Sequence, residues 1–364
     1  MKESNLTNKL QKIDKETFQQ DLIDWFHTQK RTLPWREDQD PYKVWVSEIM
    51  LQQTKVDTVI PYFNRFIEKF PTAEELAKAE EQEVLKAWEG LGYYSRARNL
   101  QHAVREVSTR YEGKVPNDPK RLSALKGVGP YTTGAILSIA YGIPEPAVDG
   151  NVMRVLSRIL MIEEDIAKAS TRRIFEMAVR KLISHEDPSG FNQGLMELGA
   201  LVCTPKSPAC MLCPVQSHCQ AFHHGTELAY PVKTKAKKQK KLPYFTCVLQ
   251  DNQGRFFIEQ RPDEGLLANM WQFPMALKQN VDEDHLATWV EQKFQVTIKE
   301  EETLPMIKHI FSHVIWELDV RLFLVENEGI SSEQPSFLPL DKITEYPFPV
   351  PYQKLIDYLR EHSR

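Results

Sequence analysis

Two glycines before a helix and an aspartate about twenty residues beyond them are the residues of this 364-residue chain whose types and spacing most suggest chemistry. Gly127 and Gly129 flank one small apolar residue, so the backbone can turn tightly and gather several N–H groups at one point. Pro130 follows where a helix can begin, and a helix N-terminus after such a turn suits a phosphate oxygen. The aspartate is Asp149. Taken alone, the two glycines more often mark a corner between packed helices.

Glu48 is a second carboxyl group in a setting that could serve catalysis. It lies in the segment Trp45–Thr54, close to a helix face that carries Ile49 and Gln52. A single glutamate on such a helix is more often exposed to solvent or paired with a cation. Glu48 by itself therefore defines no site.

Four of the five cysteines form a group within seventeen residues, with the spacing of a metal site: Cys203, Cys210, Cys213 and Cys219. In a reducing compartment, four thiols this close indicate metal binding rather than disulfides. Zinc and a four-iron cluster both accept four thiolates. The spacing differs from the paired CxxC motifs of a zinc ribbon, which favours a [4Fe–4S] cluster and leaves zinc as the alternative. We expect the metal to hold the end of the first domain together.

Length and composition describe a folded protein of two domains. Charged residues make up 26% of the chain and aromatic residues 10%, which is ordinary for a globular protein. The net charge of −4 creates no overall basic field, although a local basic face is enough to bind nucleic acid. The chain has no apolar run of about 18 residues and begins with polar residues. We therefore expect no membrane association and a cytoplasmic location.

The apolar periodicity divides the chain into a helical part, a lysine-rich linker and an α+β part. Residues 1–228 carry apolar side chains at helical spacing, residues 229–243 are rich in lysine, and residues 244–364 mix strand-like and helical segments. The linker is expected to be a spacer, although its lysines could also lie against a phosphate backbone. Predicted helices cover roughly 95–110, 130–141, 149–161, 170–184, 190–201, 284–294 and 351–361, and predicted strands cover 245–249, 255–258 and 316–325.

Together, the glycine hairpin with Asp149, the six-two-five cysteine spacing and the segment Trp45–Thr54 resemble the helix-hairpin-helix DNA glycosylases. More narrowly, they resemble the bacterial adenine-DNA glycosylases of the MutY type, over nearly the whole chain. The resemblance implies a mostly α glycosylase domain with an iron–sulfur loop at 203–219, followed by an α+β Nudix-like domain. It also implies double-stranded DNA with A:8-oxoguanine or A:G mispairs as the partner. We expect a monomer associated with the nucleoid.

The resemblance assigns the chemistry to two carboxyl groups. Family members hydrolyse the N-glycosidic bond of adenine, a task that needs one acid and one anion because positive charge develops on the sugar. The resemblance implies that Glu48 protonates the purine N7 and that Asp149, followed by Asn151, stabilises the cation. The apolar neighbours of Glu48 fit this role because desolvation keeps a carboxyl group protonated. Tyr131 stands where related bifunctional glycosylases carry a lysine, so the resemblance implies base excision without strong strand cleavage.

The resemblance also implies a set of DNA contacts in the first domain. The target base must leave the stack, and other side chains must fill the gap. By resemblance, Gln53 and Tyr93 enter the duplex, with Leu91 in the same loop as Tyr93, and Lys126, Gly127 and Gly129 contact phosphate. The adenine pocket is expected to be formed by Arg31, Leu33, Trp35 and Gln193. For the aromatic residues, packing in the core is nearly as good an explanation.

The C-terminal domain resembles a Nudix fold that binds rather than hydrolyses. The stretch His285–Phe294 lacks the array of glutamates with which Nudix hydrolases hold magnesium. By resemblance, Phe311, Ser312 and His313 read 8-oxoguanine on the opposite strand. A β-turn with a packed Phe311 is the alternative interpretation of these three residues.

Three other functions remain open at the level of sequence. The first is a bifunctional glycosylase of damaged pyrimidines with AP lyase activity, which Tyr131 and the extra domain disfavour. The second is a non-catalytic iron–sulfur DNA-binding protein, which the presence of both Glu48 and Asp149 disfavours. The third is a nucleotide pyrophosphatase, which the missing magnesium-binding glutamates disfavour.

Overall fold

The computed structural model describes residues 3–235, 238–326 and 337–362. The chain forms two compact units, one from Met1–Lys78 with Asn99–Lys235 and the other from Ala79–Arg98 with Ala236–Arg364. The second unit thus includes a segment from the N-terminal half, which the pattern along the chain does not reveal. The division into 1–228, 229–243 and 244–364 stays a prediction.

The N-terminal two thirds of the chain is helical, as its apolar periodicity predicts. None of the described helices is both long enough and apolar enough to span a bilayer. The helices are α1 Glu3–Leu10, α2 Lys15–Gln29, α3 Pro41–Leu51, α4 Val56–Lys69, α5 Ala73–Lys78, α6 Glu81–Ala87, α7 Ser95–Arg110, α8 Pro119–Ala124, α9 Pro130–Tyr141, α10 Gly150–Ile159, α11 Ala169–Leu182, α12 Pro188–Leu201 and α13 Gln220–His223.

Helix α9 begins and ends where local chemistry dictates. Gly129 is its extended N-cap and Pro130 its first residue, whereas Gly142 closes it in the left-handed region with φ 63°. A Cβ atom on Gly134 would lie only 1.8 Å from the carbonyl oxygen of Pro146, so this helix approaches the next loop as closely as a backbone can. This approach brings α9 against the chain that leads to Asp149.

Capping aspartates start the other helices that position the site. Asp149 caps α10 by accepting a hydrogen bond from the Val152 N–H, and Asp187 caps α12 in the same way from the Gly190 N–H, each at 2.7 Å. Side chains from α2, α10, α11 and α12 then fill one core: Phe18, Leu22, Leu156, Ile159, Phe175, Val179, Phe191 and Leu195. The packed core fixes the N-terminal end of α10 relative to α12.

The second unit is built on a mixed β-sheet. Its strands are β1 Lys240–Asp251, β2 Phe256–Phe257, β3 Glu259–Gln260, β4 Trp271–Gln272, β5 Met275–Leu277, β6 Thr297–Ile310, β7 Val314–Glu326 and β8 Phe337–Leu338, and its later helices are α14 Leu286–Phe294, α15 Leu340–Ile343 and α16 Val350–His362. The main sheet has the order β6-β7-β1-β2-β8, and β5 also pairs with β1. Strands β1 and β7 are parallel, whereas the other pairs are antiparallel.

Each face of this sheet is covered by one helix. Successive side chains of a strand point to opposite faces, so alternate residues pack with different helices. Even-numbered residues of β1 and β7, such as Val248 and Leu318, pack with α16, and odd-numbered ones, such as Phe323, pack with α14. Cys247 belongs to the α14 side and is 0% exposed, so it is a small buried thiol. The predicted α+β class of this unit is confirmed.

Two features of the sheet differ from the sequence expectation. Strand β1 begins at Lys240, within the stretch expected to be a linker, because its backbone pairs with β7 from Val314 onward. Strand β6 was not predicted, although it spans fourteen residues. Its side chains are mostly exposed because it lies at the edge of the sheet, so it lacks the apolar alternation by which strands are recognised.

The segment Ala79–Arg98 is held in the second unit by polar side chains of α6. Trp271 Nε1 donates to Gln82 Oε1 at 2.9 Å, and Lys86 Nζ donates to the carbonyl oxygen of Tyr346 at 3.0 Å. The loop that follows α6 carries Tyr93. Contacts made by α6 therefore anchor this loop to the Nudix-like fold.

Candidate active site

The first unit contains a cavity of about 620 Å³, a size that suits a small ligand. Helices α3, α9 and α12 and the start of α10 form its walls. Eleven of the residues singled out in the sequence line it: Arg31, Leu33, Trp35, Glu48, Gln53, Gly127, Gly129, Tyr131, Asp149, Asn151 and Gln193. The structure thus brings together the hairpin, both carboxyl groups and the expected base pocket.

Glu48 is held in the cavity wall as a buried acid. The residue is 6% exposed, and the Tyr131 hydroxyl donates a hydrogen bond to its Oε2. Burial raises the pKa of Glu48 to about 7; the hydroxyl of Tyr131 and the charge of Arg36 oppose this rise, while Asp149 adds to it. At neutral pH a large fraction of Glu48 therefore keeps its proton. Such a group can serve as a general acid.

Asp149 is surrounded by groups that favour its anionic form. The Val152 N–H donates to Oδ1 at 2.7 Å and Asn151 Nδ2 donates to Oδ2 at 2.8 Å. Burial raises the pKa of Asp149 above its usual value, and these two hydrogen bonds limit the rise. Because it also caps the N-terminus of α10, the carboxylate lies at the positive end of a helix dipole. This half-buried anion faces the same cavity as Glu48.

A buried carboxylate on α12 organises the opposite wall, and sequence reasoning missed it. Glu197, 2% exposed, accepts two hydrogen bonds at 2.9 Å from the Arg31 guanidinium and one at 3.1 Å from Arg36 Nη2. Burial alone would raise the pKa of Glu197, but the two guanidinium groups hold it at about 2. Arg36 Nε also donates to Gln193 Oε1 at 2.9 Å, and Gln193 Nε2 donates to Ser189 Oγ at 3.0 Å. The Gln193 amide is therefore fixed in one orientation.

Leu33 and Trp35 contribute the apolar surface of the cavity. They are 5% and 6% exposed, and the Trp35 ring packs edge-on against Phe63 at 5.4 Å. Both residues thus belong to the core and to the cavity wall at once. Packing in the core and contact with a base, the two alternatives posed by the sequence, are therefore compatible for Trp35.

The glycine hairpin leaves its backbone open at the cavity. Gly127 has φ 80°, a conformation that favours glycine, and a Cβ atom there would lie 2.9 Å from Asn99 Cβ. A Cβ atom on Gly129 would have no neighbour within 4 Å among the described residues, and its φ of −90° is ordinary. Neither packing nor conformation therefore requires glycine at position 129. Lys126 is exposed and does not line the cavity.

The four cysteines at 203–219 line one apolar pocket beneath α12. Among the described residues, no three cysteine, histidine, aspartate or glutamate side chains converge closely enough to hold a single metal ion. A lone zinc ion would need its sulfurs at about 2.3 Å, whereas a four-iron cluster takes one thiolate per iron and accepts a wider spread. The buried Arg158 donates to Cys203 Sγ at 3.2 Å, as suits a thiolate ligand. The donor set fits an iron–sulfur cluster.

A chain of hydrogen bonds connects this loop with the cavity. Asn151, which donates to Asp149, also accepts a hydrogen bond from Arg154 Nη2 at 2.9 Å. Arg154 Nε donates in turn to the carbonyl oxygen of Cys203 at 2.8 Å. The cysteine loop therefore supports the residues that orient Asp149.

The remaining predicted DNA-binding residues belong to the second unit. Phe311, Ser312 and His313 form the turn between β6 and β7, where Ser312 and His313 are exposed and the Phe311 ring packs on Trp316 at 5.0 Å. This turn and Tyr93, 41% exposed, line one cavity of about 330 Å³. Leu91 is 6% exposed and does not line that cavity.

Helix α14 carries no magnesium site. Its one acidic side chain, Glu291, accepts a hydrogen bond from the Ile298 N–H at 3.0 Å. Lys293, on the same helix, lies 3.9 Å from Glu259 and 4.8 Å from the Trp289 ring. Within the described ranges, this unit has no group of three histidine, cysteine, aspartate or glutamate side chains that could hold a metal ion.

Three charged cavity residues lay outside the sequence prediction for different reasons. Glu197 lies among apolar residues, as Glu48 does, so the same signal could have found it. Arg36 follows Trp35 directly in sequence, but nothing in its local pattern marked it as a cavity residue. Arg172 is one of two adjacent arginines on α11, and only the fold shows that it lines the cavity.

Comparison with known families agrees with this arrangement. Residues 46–181 match the family of HhH-GPD superfamily base excision DNA repair proteins, residues 203–219 match the iron-sulfur binding domain of endonuclease III, and residues 245–358 match the NUDIX domain. A solved thermostable thymine-DNA glycosylase is 27% identical with a TM-score of 0.52, and the match covers 58% of this chain and 97% of that one.

Curated relatives cover both halves of the chain. The adenine DNA glycosylase of Buchnera aphidicola subsp. Schizaphis graminum is 33% identical, over 94% of this chain and 99% of its own length. The adenine DNA glycosylase of Arabidopsis thaliana is 38% identical over 85% of this chain, which spans 57% of that relative's length. This chain belongs to the adenine DNA glycosylases, a family of base excision repair enzymes, and combines an HhH-GPD domain, a [4Fe–4S] loop and a Nudix-like domain.

Proposed function

We propose that this enzyme releases adenine paired with 8-oxoguanine or guanine, and that Glu48 is its general acid. The observation that carries the proposal is the pairing of Glu48, whose pKa is raised to about 7, with the anion-supporting site of Asp149 in one cavity. Adenine is a poor leaving group as an anion, so protonation at N7 must accompany cleavage of the bond. General acid catalysis contributes roughly 10²–10⁴-fold.

Asp149 stabilises the positive charge that grows on the sugar. Its hydrogen bonds from Val152 and Asn151 hold the oxygens in place before the reaction begins, so little reorganisation is needed as charge develops. The stabilisation is either electrostatic or a transient covalent bond to the anomeric carbon. The [4Fe–4S] cluster, bound by the four cysteines, supplies a rigid cross-link for the loop that supports Asn151.

The reaction proceeds by hydrolysis without strand cleavage. Among the described residues, those that line the cavity include no lysine, so no amine is available there to form a Schiff base with the sugar. The Tyr131 hydroxyl donates to Glu48, and burial raises its pKa well above the usual range, so it stays a neutral donor. Tyr131 therefore positions the acid and does not attack the sugar.

The adenine is held by the wall that Glu197 organises. Gln193 faces the cavity with its amide fixed by Arg36 and Ser189, which suits recognition of one base edge. Leu33 and Trp35 provide an apolar face for the purine, and Arg31 lies at the edge of the pocket. Gln53 is exposed at the cavity, with φ 60°, and enters the duplex beside the everted adenine in this proposal.

Discrimination of 8-oxoguanine belongs to the second unit. Ser312 and His313 present exposed polar groups at a β-turn, and the half-exposed Tyr93 lines the same cavity. These groups can hydrogen-bond to the N7–H and O8 of the oxidised base while Phe311 and Tyr93 contact its neighbours. An unpaired buried polar group costs about 1–3 kcal/mol, which is enough to discriminate 8-oxoguanine from guanine.

The proposal also includes the domain division 1–228, 229–243 and 244–364 and a monomeric state.

A gel assay on four duplexes tests the proposal. Substrates carry A:8-oxoguanine, A:G, A:T or thymine glycol, and each reaction is analysed with and without alkali. We expect DNA strand breaks only after alkali treatment. They should form fastest in the A:8-oxoguanine duplex and more slowly in the A:G duplex. Breaks without alkali, or attack on thymine glycol, would instead indicate the bifunctional pyrimidine-damage enzyme. Binding without any release would indicate a non-catalytic DNA-binding protein.

A further inference from the structure

Arg172 is a charged residue of the active-site cavity that the proposed chemistry does not use. It lies on the first turns of α11, is half-buried, and lines the same cavity as Glu48, Tyr131 and Asp149. Its guanidinium forms no hydrogen bond or ion pair with any residue that the structure describes. A half-buried guanidinium at the wall of a cavity can bind an anion that enters the cavity.

The other two arginines of the cavity are bound by a carboxylate. Arg31 and Arg36 share the carboxylate of Glu197. The guanidinium groups that act most strongly on the two proposed catalytic carboxyls are Arg36 for Glu48 and Arg154 for Asp149. With Glu48 protonated, the three arginines of the cavity exceed its two carboxylates, Glu197 and Asp149, by one positive charge, and Arg172 is the arginine that forms no ion pair.

A DNA substrate offers one kind of anion to neutralise such a charge. The adenine base and the deoxyribose are neutral, and the phosphates on either side of the target nucleoside are negative. A guanidinium matches the geometry of two phosphate oxygens through paired N–H groups. Gly127 and Gly129, whose backbone is open at the same cavity, can receive phosphate as well.

We propose that Arg172 binds a backbone phosphate next to the everted adenosine and so holds the nucleoside between Glu48 and Asp149. The inference deepens the proposed function, on which it rests for the identity of the cavity as the nucleoside site. It predicts a role in binding and placement, since the hydrogen bonds of Glu48 and Asp149 come from Tyr131, Asn151 and Val152, and Arg172 acts only through its charge on the Tyr131 hydroxyl.

The experiment measures binding to a duplex with a tetrahydrofuran abasic analogue opposite guanine, which carries the phosphates but has no bond to cleave. Wild type, Arg172→Gln, Arg172→Lys and Arg173→Gln are compared between 50 and 250 mM salt (roughly the range over which phosphate contacts weaken). Arg173, the neighbouring residue on α11, is exposed and does not line the cavity, so it is the matched control. Circular dichroism and cluster absorption verify folding.

We expect Arg172→Gln to weaken binding about tenfold and to lower the slope of log K against log salt by about 0.9, the amount for one phosphate. Arg172→Lys should keep the slope, and Arg173→Gln should keep the affinity to within about twofold. Methylphosphonate substitution, one phosphate at a time, should reveal a position where neutral phosphate weakens the wild type but not Arg172→Gln.

The inference would be overturned if Arg172→Gln left the slope of log K against log salt unchanged. It would also be overturned if every methylphosphonate weakened binding by Arg172→Gln as much as it weakens binding by the wild type. A loss of adenine release with unchanged binding would place Arg172 in the chemistry and would also overturn it. The outcome is independent of the proposed function, because the abasic duplex reports on Arg172 even if the wild type releases no adenine. Failure of the proposed function appears separately, as absence of release from A:8-oxoguanine DNA.

Discussion

Replacing Tyr131 by phenylalanine should move the alkaline limb of the pH–rate profile upward. The Tyr131 hydroxyl donates to Glu48 Oε2 and thereby lowers the pKa of that carboxyl group, against the larger opposite effect of burial. In the proposed mechanism the rate of adenine release depends on the protonated form of Glu48, so in the wild type it should fall as pH rises through about 7. Without the hydroxyl, the ionised form loses a hydrogen bond and the proton is held more tightly.

The size of the shift follows from the strength of that hydrogen bond. A hydrogen bond to a charged group contributes about 1.5–3 kcal/mol, and one pKa unit corresponds to about 1.4 kcal/mol. Because the hydroxyl also interacts with the neutral acid, we expect the lower end of the range. The midpoint of the alkaline limb should therefore rise by about one unit.

The assay is single-turnover release of adenine from an A:8-oxoguanine duplex between about pH 5.5 and 9.5, a window that spans the proposed pKa. Single-turnover conditions isolate the chemical step from product release. Tyr141→Phe is the matched control, because Tyr141 lies at the end of the same helix and its hydroxyl donates to the Val115 carbonyl oxygen rather than to Glu48.

We expect Tyr141→Phe to keep the wild-type midpoint whatever its effect on stability. A limb that stays in place in Tyr131→Phe, or moves to lower pH, would refute the reasoning that Tyr131 acts on the acidity of Glu48. A lower maximal rate of Tyr131→Phe, together with a midpoint shifted to higher pH, would still agree with this reasoning.

Three further outcomes are expected. Ser312→Ala combined with His313→Ala should reduce the rate preference for A:8-oxoguanine over A:G while single-turnover release from A:G stays near wild type; an unchanged preference would exclude this turn as the reader. Since the pKa of Glu48 is raised on folding from 4.5 to about 7, ionising it opposes folding as pH rises through that window. Glu48→Gln should therefore gain about 3 kcal/mol in unfolding free energy relative to wild type between pH 4.5 and 8, measured by denaturant titration. The purified protein should show visible absorption that is lost with Cys213→Ser, and a colourless, zinc-containing protein would contradict the cluster.

The parts of the site that depend on local chemistry were predictable from sequence. The glycine hairpin, the proline that begins α9 and the aspartate that caps α10 are signals within a few residues, and the structure has each of these helices where the pattern indicates. The cysteine spacing is local as well, and it correctly favoured iron–sulfur over zinc. Assignment of Glu48 and Asp149 to catalysis needed the family resemblance and stays a proposal.

The parts that depend on tertiary contacts were not predictable. The apolar neighbours of Glu197 could have singled it out, but it lies 166 residues from Arg31 and 161 from Arg36, and nothing near it in sequence identifies these two partners. Strand β6 is defined by pairing with β7 rather than by an apolar face. The grouping of Ala79–Arg98 with the second unit follows from contacts such as Gln82 with Trp271, which are 189 residues apart.

The most direct test of the two-carboxyl account compares adenine release by the wild type, Glu48→Gln and Asp149→Asn with their affinity for the same A:8-oxoguanine duplex. The account predicts that each variant binds the duplex with near wild-type affinity and releases no measurable adenine in a single turnover. Substantial release by either variant would show that the reaction does not depend on a proton from Glu48 and a negative charge at Asp149.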